Sequence, residues 1–255
     1  MGNRVTRWIL ALGILALLIG CVVHVRREQQ DQEYSKDLFA MDTIMRVTAY
    51  GPRSGEAVEA AIEEVQRLDA LLSTGSASSE VSQLNRVGGG TVSADTAQLL
   101  AASVSLYEST GGLFDCTIYP LMRLWGFTTK EYHVPTAEEL AEYLPLTDAS
   151  KVEFDGQSVR LAEGQEIDFG GIAKGYAAQR AIEIFQSYGV ASGMVSLGGN
   201  IQVLGTKPDG TDWRIGIQDP DEPQGTVLAV VPLRDSSPRI SPQAPPCCKE
   251  SPYRS

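Results

Sequence analysis

The strongest pattern in the chain has a helical period. In "SGEAVEAAIEEVQRLDALLS", Val58, Ala61, Ile62, Val65, Leu68 and Leu72 recur at steps of three and four, which places them on one face of an amphipathic helix. "SADTAQLLAASVSLYESTGG" predicts a second helix, capped near Ser93 or Asp95 and stopped by Gly111-Gly112. "PTAEELAEYL" opens on Thr136 with Glu139 three residues later, the spacing of a capping box. A further helix starts near Lys174, with Ile172, Tyr176, Ala177, Ala181, Ile184 and Phe185 facing inward. Between the first two helices, "STGSASSEVSQLNRVGGG" has few hydrophobic and few charged positions, and it reads as a binding loop rather than a linker.

Other stretches alternate with a period of two. "MDTIMRVTAYG" predicts a strand, and "KVEFDGQSVRLAEGQEIDF" a strand, an Asp155-Gly156 turn, a strand and a third strand ending at Asp168. "ASGMVSLGGNIQVLGTKPDGTDWRIGIQDP" reads as strands joined by glycine-rich and Pro-Asp-Gly turns, and "TVLAVVPL" as one more. There is no internal repeat and no regular βαβ alternation. The expected class is therefore α+β, with a substantially antiparallel sheet and flanking helices.

The N-terminus follows neither period. Arg4 and Arg7 precede the apolar run "WILALGILALLIGC", the layout of an export signal and short for a membrane span. Leu18-Ile19-Gly20-Cys21 resembles the bacterial lipoprotein box, which implies cleavage before Cys21 and its acylation. An uncleaved signal anchor is the alternative. Residues 1–20 are thus expected to be a signal peptide and 21–38 a polar tether. The remainder would be lipid-anchored on the extracytoplasmic face of a bacterial cell membrane.

Composition narrows the rest. The 255 residues, 43% hydrophobic, suffice for one large domain or two small ones with a real core. A net charge of -11 with no basic stripe argues against a nucleic-acid partner. Cys116 lies in an apolar stretch and reads as a small buried residue. Cys247 and Cys248 adjoin in a Pro-rich tail, and the spacing gives neither a zinc site nor a disulfide framework. Of the two histidines, His24 falls in the tether and His133 in a loop, where it reads as an exposed polar residue.

Chemistry concentrates in "IDFGGIAKGYAAQ", Ile167 to Gln179. Asp168-Phe169-Gly170 spells the kinase metal-binding triplet, but the glycine-rich loop and catalytic HRD of kinases are missing from the sequence. No GxGxxG or GxxxxGK[ST] appears either. A carboxylate, bare glycine backbone and a lysine at the start of a helix could receive a phosphate. The same residues could equally make a tight strand-to-helix turn packed for shape.

"AMDTIM", "LLSTGSASSEVSQLN", "TGGLFDCTIYPLMRLWGF", "IDFGGIAKGYAAQRA" and "GGNIQVLGTKPDGTDWRIGIQDP" occur in this order. Together they resemble the ApbE family of FAD:protein FMN transferases, from about Ala40 to about Leu233. The resemblance implies an enzyme that takes FAD, uses Mg²⁺, transfers FMN to a Ser or Thr of an acceptor flavoprotein subunit of a membrane redox complex, and releases AMP. It implies flavin contact at Met41, whose other reading is an ordinary core methionine. It implies FAD contacts at Leu113, Phe114, Asp115, Asp168 and Lys174, and a main-chain carbonyl to the metal from Gly171. Gly75 falls where some members carry an aromatic that contacts FAD, so only backbone contact is expected there. "SLGGN", Ser196 to Asn200, would line the same cleft or simply make a hairpin turn. The FAD-binding domain is expected over 39–233.

After "TVLAVVPLRDSS" the sequence departs from the family's pattern. A serine-glycine-aspartate-tyrosine motif, a histidine motif and the Asp and Thr metal ligands are expected there, and the sequence reads "PRISPQAPPCCKESPYRS" instead. Residues 234–255 are expected to be a non-homologous, disordered tail. Alternatives to the transferase are an inactive flavin-binding lipoprotein, a hydrolase cutting FAD to FMN and AMP, and a solute-binding lipoprotein, for which two similar lobes are wanting. A chain lacking the last strands is expected to be unstable, or at best to bind FAD weakly. Cooperative unfolding together with tight FAD binding by the purified protein would contradict that expectation.

Overall fold

A computed structural model describes residues 14–15, 17–21, 31–223 and 225–235. Residues 14–15 and 17–21 are helical and exposed, including Cys21. Most of the signal-peptide and tether readings, and the tail from residue 236, lie outside the described residues. Among the described residues no helix is long and apolar enough to cross a membrane.

The centre is a four-stranded antiparallel sheet in the order β1-β2-β6-β7, formed by Glu33–Ala40, Thr43–Tyr50, Ser192–Leu197 and Asn200–Leu204. One face is covered by α1 (Ser54–Leu72) and α6 (Ala173–Ser187). All six residues expected on the inner face of α1 are buried. On α6, Ala177, Ala181 and Phe185 are buried, while Tyr176 and Ile184 are half-buried at the edge of the core. Phe185 lies flat over Gly193, where a Cβ would come within 2.7 Å of its ring.

The other face carries a separate hairpin of β8 (Trp213–Gln218) and β9 (Val227–Leu233). It packs Trp213, Ile215 and Leu233 with Val203 against Tyr50 and Met194. A third small sheet, order β3-β5-β4, joins Gly89–Thr91, Ser158–Arg160 and Glu153–Asp155. The mixed α+β class with antiparallel sheets is as expected.

Four local readings need correction. The tether was read to residue 38, but Glu33–Ala40 forms edge strand β1. Its cross-strand pairs are mostly polar, Ser35–Thr48 at 2.8 Å, Asp37–Arg46 at 2.6 Å and Glu33–Tyr50 at 2.9 Å, so no hydrophobic alternation betrays it. The Ser/Gly-rich stretch contains α2, Glu80–Val87, capped by Ser79 and closed by Gly88 in the left-handed region. It buries only Val81 and Leu84, too few positions for a visible period. The third strand ending at Asp168 does not form, and Glu166 makes a single bridge to Ile118. The β4–β5 turn falls one residue later than read, because Asp155 pairs with Ser158.

Helix α3 (Ala94–Ser109) is capped by Ser93, and Thr136 and Glu139 form the expected capping box at the start of α5 (Ala137–Tyr143). The short helix α4 spans Tyr119–Leu124.

Ion pairs tie α1, α3 and α6 together. Arg67 donates to Glu64 at 2.7 Å and to Asp95 at 2.7 Å, Tyr176 donates to Asp95 at 2.6 Å, and Arg180 reaches Glu64 at 3.3 Å. Hydrogen bonds from Arg67 hold the Glu64 carboxyl below its ordinary value. Burial pushes Asp95 upward, but Tyr176 and Arg67 outweigh it and leave that carboxyl depressed. Both carboxyls are lower in the folded state, so their stabilisation is complete above the ordinary carboxylate pKa. It is lost as pH falls through the folded values. Arg67→Met should cost about 1 kcal/mol at pH 7 and flatten the fall in stability below about pH 4.5. Urea midpoints of the two proteins at pH 7, 5 and 3 measure both effects.

Candidate functional site

One end of the main sheet opens on a cleft of about 550 Å³, within the range of about 300–1,000 Å³ usual for ligand pockets. Its first wall is the β1–β2 turn. Ala40 pairs with Thr43, so Met41 and Asp42 form a two-residue loop with φ of 48° and 59°. Positive φ at both positions is the mark of a type I′ turn, whose twist matches that of the flanking strands. The Met41 N–H donates to the Asp69 carboxylate of α1 at 3.0 Å, which fixes the turn over the cleft.

The second wall follows α1. The Ser79 hydroxyl donates to the carbonyl of Ser73, and the Ser82 hydroxyl lies 3.1 Å from the carbonyls of both Ser73 and Thr74. The serines of the loop therefore bind its own backbone onto the start of α2. Tyr119 OH adds a bond to the Thr74 carbonyl at 3.2 Å. Gly75 lines the cleft here, with open space where a side chain would stand: a Cβ would meet only Ser73 Oγ at 3.7 Å.

The floor is residues 167–174. Asn85 of α2 grips the main chain of Ile167 from both sides, Nδ2 donating to its carbonyl at 2.8 Å and Oδ1 accepting its N–H at 2.7 Å. A side-chain amide thus stands in for the neighbouring strand that the sequence led one to expect. Asp168 N–H bonds the Cys116 carbonyl at 2.8 Å. Its carboxylate accepts from Gly170 N–H at 2.7 Å and from Thr74 Oγ1 at 3.3 Å. Phe169 is buried and its carbonyl receives the N–H groups of Ile172 and Ala173. Helix α6 then begins with no side-chain cap, and Lys174 in its first turn lines the cleft.

Both glycines of this turn lie close against neighbouring side chains. A Cβ on Gly170 would sit 2.8 Å from Asp168 Oδ1, and one on Gly171 would sit 3.0 Å from the Phe114 ring. The tight-turn reading and the ligand reading are therefore compatible. The turn's compactness is what brings the carboxylate, Lys174 and the helix start to one surface.

Met41, Gly75, Asp168 and Lys174 converge on this cleft, and Gly170 lines it while Gly171 follows immediately. Leu113, Phe114 and Asp115 are not among its lining residues. Leu113 is 92% exposed. Phe114 packs beneath Gly171. The Asp115 carboxylate is occupied by the N–H of Thr117 at 2.8 Å, the Thr117 hydroxyl at 2.6 Å and Ala149 N–H at 3.1 Å. "SLGGN" makes the β6–β7 hairpin turn, with Leu197 paired to Asn200. His133 is exposed, and Cys116 is buried, its thiol pushed up to about 12 chiefly by burial.

Sequence reasoning passed over Asp69, Thr74, Asn85, Phe127 and Lys130. Of these, Asp69, Thr74, Phe127 and Lys130 line the cleft, and Asn85 supports it. Thr74, Asn85 and Phe127 fall inside the stretches "LLSTGSASSEVSQLN" and "TGGLFDCTIYPLMRLWGF" without standing out there, whereas Asp69 and Lys130 lie outside them. The fold joins Thr74 to Asp168 and Asn85 to Ile167, 94 and 82 positions away, and Asp69 to Met41, 28 positions away.

The cleft holds Asp42, Asp69 and Asp168 against Lys130 and Lys174. Among the described residues no group of three or more His, Cys, Asp or Glu is placed to hold a metal ion. The carbonyl of Gly171 therefore has no side-chain ligand set around it there. A second depression of about 400 Å³ lies at the opposite end of the sheet, lined by Arg53, Tyr188 and Lys207 with no carboxylate. A third, about 600 Å³, is an open trough along β4 and β5. Neither gathers a fixed carboxylate, lysines and an uncapped helix start.

A model of the ApbE family matches residues 41–238. The FAD:protein FMN transferase of Treponema pallidum is 29% identical over 89% of this chain and 69% of its own length. The crystal structure of the ApbE protein from Thermotoga maritima superposes with a TM-score of 0.75 at 32% identity, covering 81% of this chain and 69% of that one. The apo flavinyl transferase ApbE of Pseudomonas stutzeri gives 0.72 at 29% identity, over 80% of this chain and 67% of that one.

Asn85→Ala should leave the buried main-chain groups of Ile167 without partners, costing about 1–3 kcal/mol. It should also loosen Asp168. Hydrogen exchange at residues 167–170 is expected to accelerate in the variant while exchange in the core of the main sheet is unchanged.

Proposed function

Because this chain belongs to the ApbE family, we propose that it is an FAD:protein FMN transferase whose cleft at Met41, Gly75, Asp168 and Lys174 receives FAD. The observation that carries this is the floor at residues 167–174: a fixed carboxylate, close backbone and a lysine at an uncapped helix start. The reaction is a transferase reaction on a diphosphate. The hydroxyl of an acceptor Ser or Thr attacks the phosphorus of the FMN half. A new P–O ester bond forms, the P–O bond to AMP breaks, the hydroxyl proton is lost and AMP departs.

The residues divide the work by charge. Lys174 and the N–H groups opening α6 attract phosphate oxygens. Asp168 repels them, and its oxygens already hold Gly170 and Thr74. Its role is to fix the turn and to accept hydroxyl groups of the sugar chain. Met41 presents an apolar surface to the flavin. Phe114 supports Gly171 from outside the cleft and Asp115 holds Thr117 and Ala149, whereas Leu113 is turned to solvent.

Mg²⁺ belongs to this proposal through the family resemblance. Two lysines against three aspartates leave the cleft short of the positive charge that a diphosphate needs. The described residues do not assemble a side-chain ligand set for it. The acceptor is a flavoprotein, proposed to be a subunit of a membrane redox complex. Lipidation at Cys21 would hold the enzyme at the extracytoplasmic membrane face beside it, which the Leu18-Ile19-Gly20-Cys21 box supports.

The test is incubation with FAD, Mg²⁺ and an acceptor domain, read by mass spectrometry. The acceptor should gain the mass of FMN, and Lys174→Ala should slow this at least about 100-fold. AMP release at the same rate without acceptor would assign hydrolysis instead. Absence of FAD binding would overturn the proposal.

A further inference from the structure

Phe127, which lines the cleft, belongs to neither hydrophobic core. Trp125, Phe127 and Tyr132 form their own cluster, Phe127 lying 6.3 Å from Trp125 at 16° and 5.7 Å from Tyr132 at 63°. None of the three takes part in the two core clusters. Their loop is nonetheless firmly folded. Phe127 N–H bonds the Met122 carbonyl at 3.0 Å and His133 N–H the Trp125 carbonyl at 3.3 Å. Gly126 has φ of 74°, and a Cβ there would lie 2.0 Å from the Glu131 carbonyl oxygen. Only glycine fits at this crossing.

Three aromatic residues line the cleft: Tyr119, Phe127 and Phe169. Phe169 is buried in the core. Tyr119 is tied by its hydroxyl to Thr74, with the Arg123 guanidinium 5.4 Å above its ring. Phe127 is half-buried, lines the cleft and lies outside both cores, with Trp125 stacked on one side. Met41, Leu72 and Met122 line the same cleft as Phe127, and Thr74, Asp168 and Lys174 supply its polar groups. Thioethers and an aromatic face suit a flat apolar surface. FAD carries two flat rings. Adenine has hydrogen-bonding groups around its rim, while the isoalloxazine ends in a dimethylbenzene edge with none.

We propose that Phe127 stacks on the isoalloxazine ring and is the residue by which this cleft distinguishes a flavin dinucleotide from other nucleotides. This rests on the reading that the cleft takes FAD. The rigid cluster with Trp125 and Tyr132 holds the ring in place before the flavin arrives, so stacking orders no loop.

The test compares FAD, FMN and ADP binding by calorimetry in the wild-type chain, Phe127→Ala, Phe127→Leu and Phe127→Tyr. Phe127→Ala should weaken FAD and FMN about 10-fold and leave ADP unchanged. Phe127→Leu keeps apolar volume without a π face and should show the same selective loss, while Phe127→Tyr should restore binding. The change in the flavin's visible absorption on binding should vanish in the first two variants. Unchanged FAD affinity in Phe127→Ala would overturn the inference while leaving the FAD reading intact. An equal loss for ADP would place adenine on Phe127 and overturn it too. A wild-type chain that binds no FAD would overturn both.

Discussion

The grip of Asn85 on Ile167 is the contact on which the cleft depends. The chain must leave an extended course and enter α6 within a few residues, with Asp168 turned one way and Phe169 the other. A neighbouring strand would normally hold such a segment. Here a single side-chain amide satisfies both main-chain groups of Ile167, and the Cys116 carbonyl takes the next N–H. Phe169 then anchors the turn in the core. Only with that anchor do Asp168 and Lys174 keep a fixed relation to the loop at Thr74.

Behind this floor, α6 is secured by apolar packing and by charge. Ala177, Ala181 and Phe185 bury against the sheet, and Gly193 clears a seat for the Phe185 ring. Tyr176 and Arg180 join the Arg67 network that runs through α1 and α3. The helix that offers its first turn to the ligand is thus held along its length by the sheet and by α1 and α3, of which α1 also lends Asp69 and Leu72 to the cleft. The β8–β9 hairpin is less involved, since it packs on the opposite face of the sheet.

How much was legible in the sequence followed from how the stabilising contacts were made. The apolar stripe of α1 and the caps of α3 and α5 are written in local order, and they stand where expected. β1 was missed because polar pairs across the strands hold it. α2 was missed because two buried residues make no period. The third strand was overread: residues 165–169 alternate like a strand, but an asparagine some 80 positions away occupies the place of a neighbour. The cleft was legible where short motifs carry it, at Met41, Asp168 and Lys174. Its aromatic end was not, because Phe127 gains its setting from Trp125, Tyr132 and the tight crossing at Gly126. Leu113 and Asp115 lie in a clear motif, yet the fold turns one outward and engages the other with main-chain N–H groups.

Gly75 makes the cleft asymmetric in a way that chemistry can exploit. Nothing protrudes from this position, and the space a side chain would take lies open beside the ligand's place. A flavin analogue carrying an added group on that side would meet solvent here, and would meet a side chain in any relative whose loop bears one. The vacancy is a ready-made hole for a bumped substrate. Such an analogue could label the acceptors of this protein selectively in a cell that contains other flavin transferases.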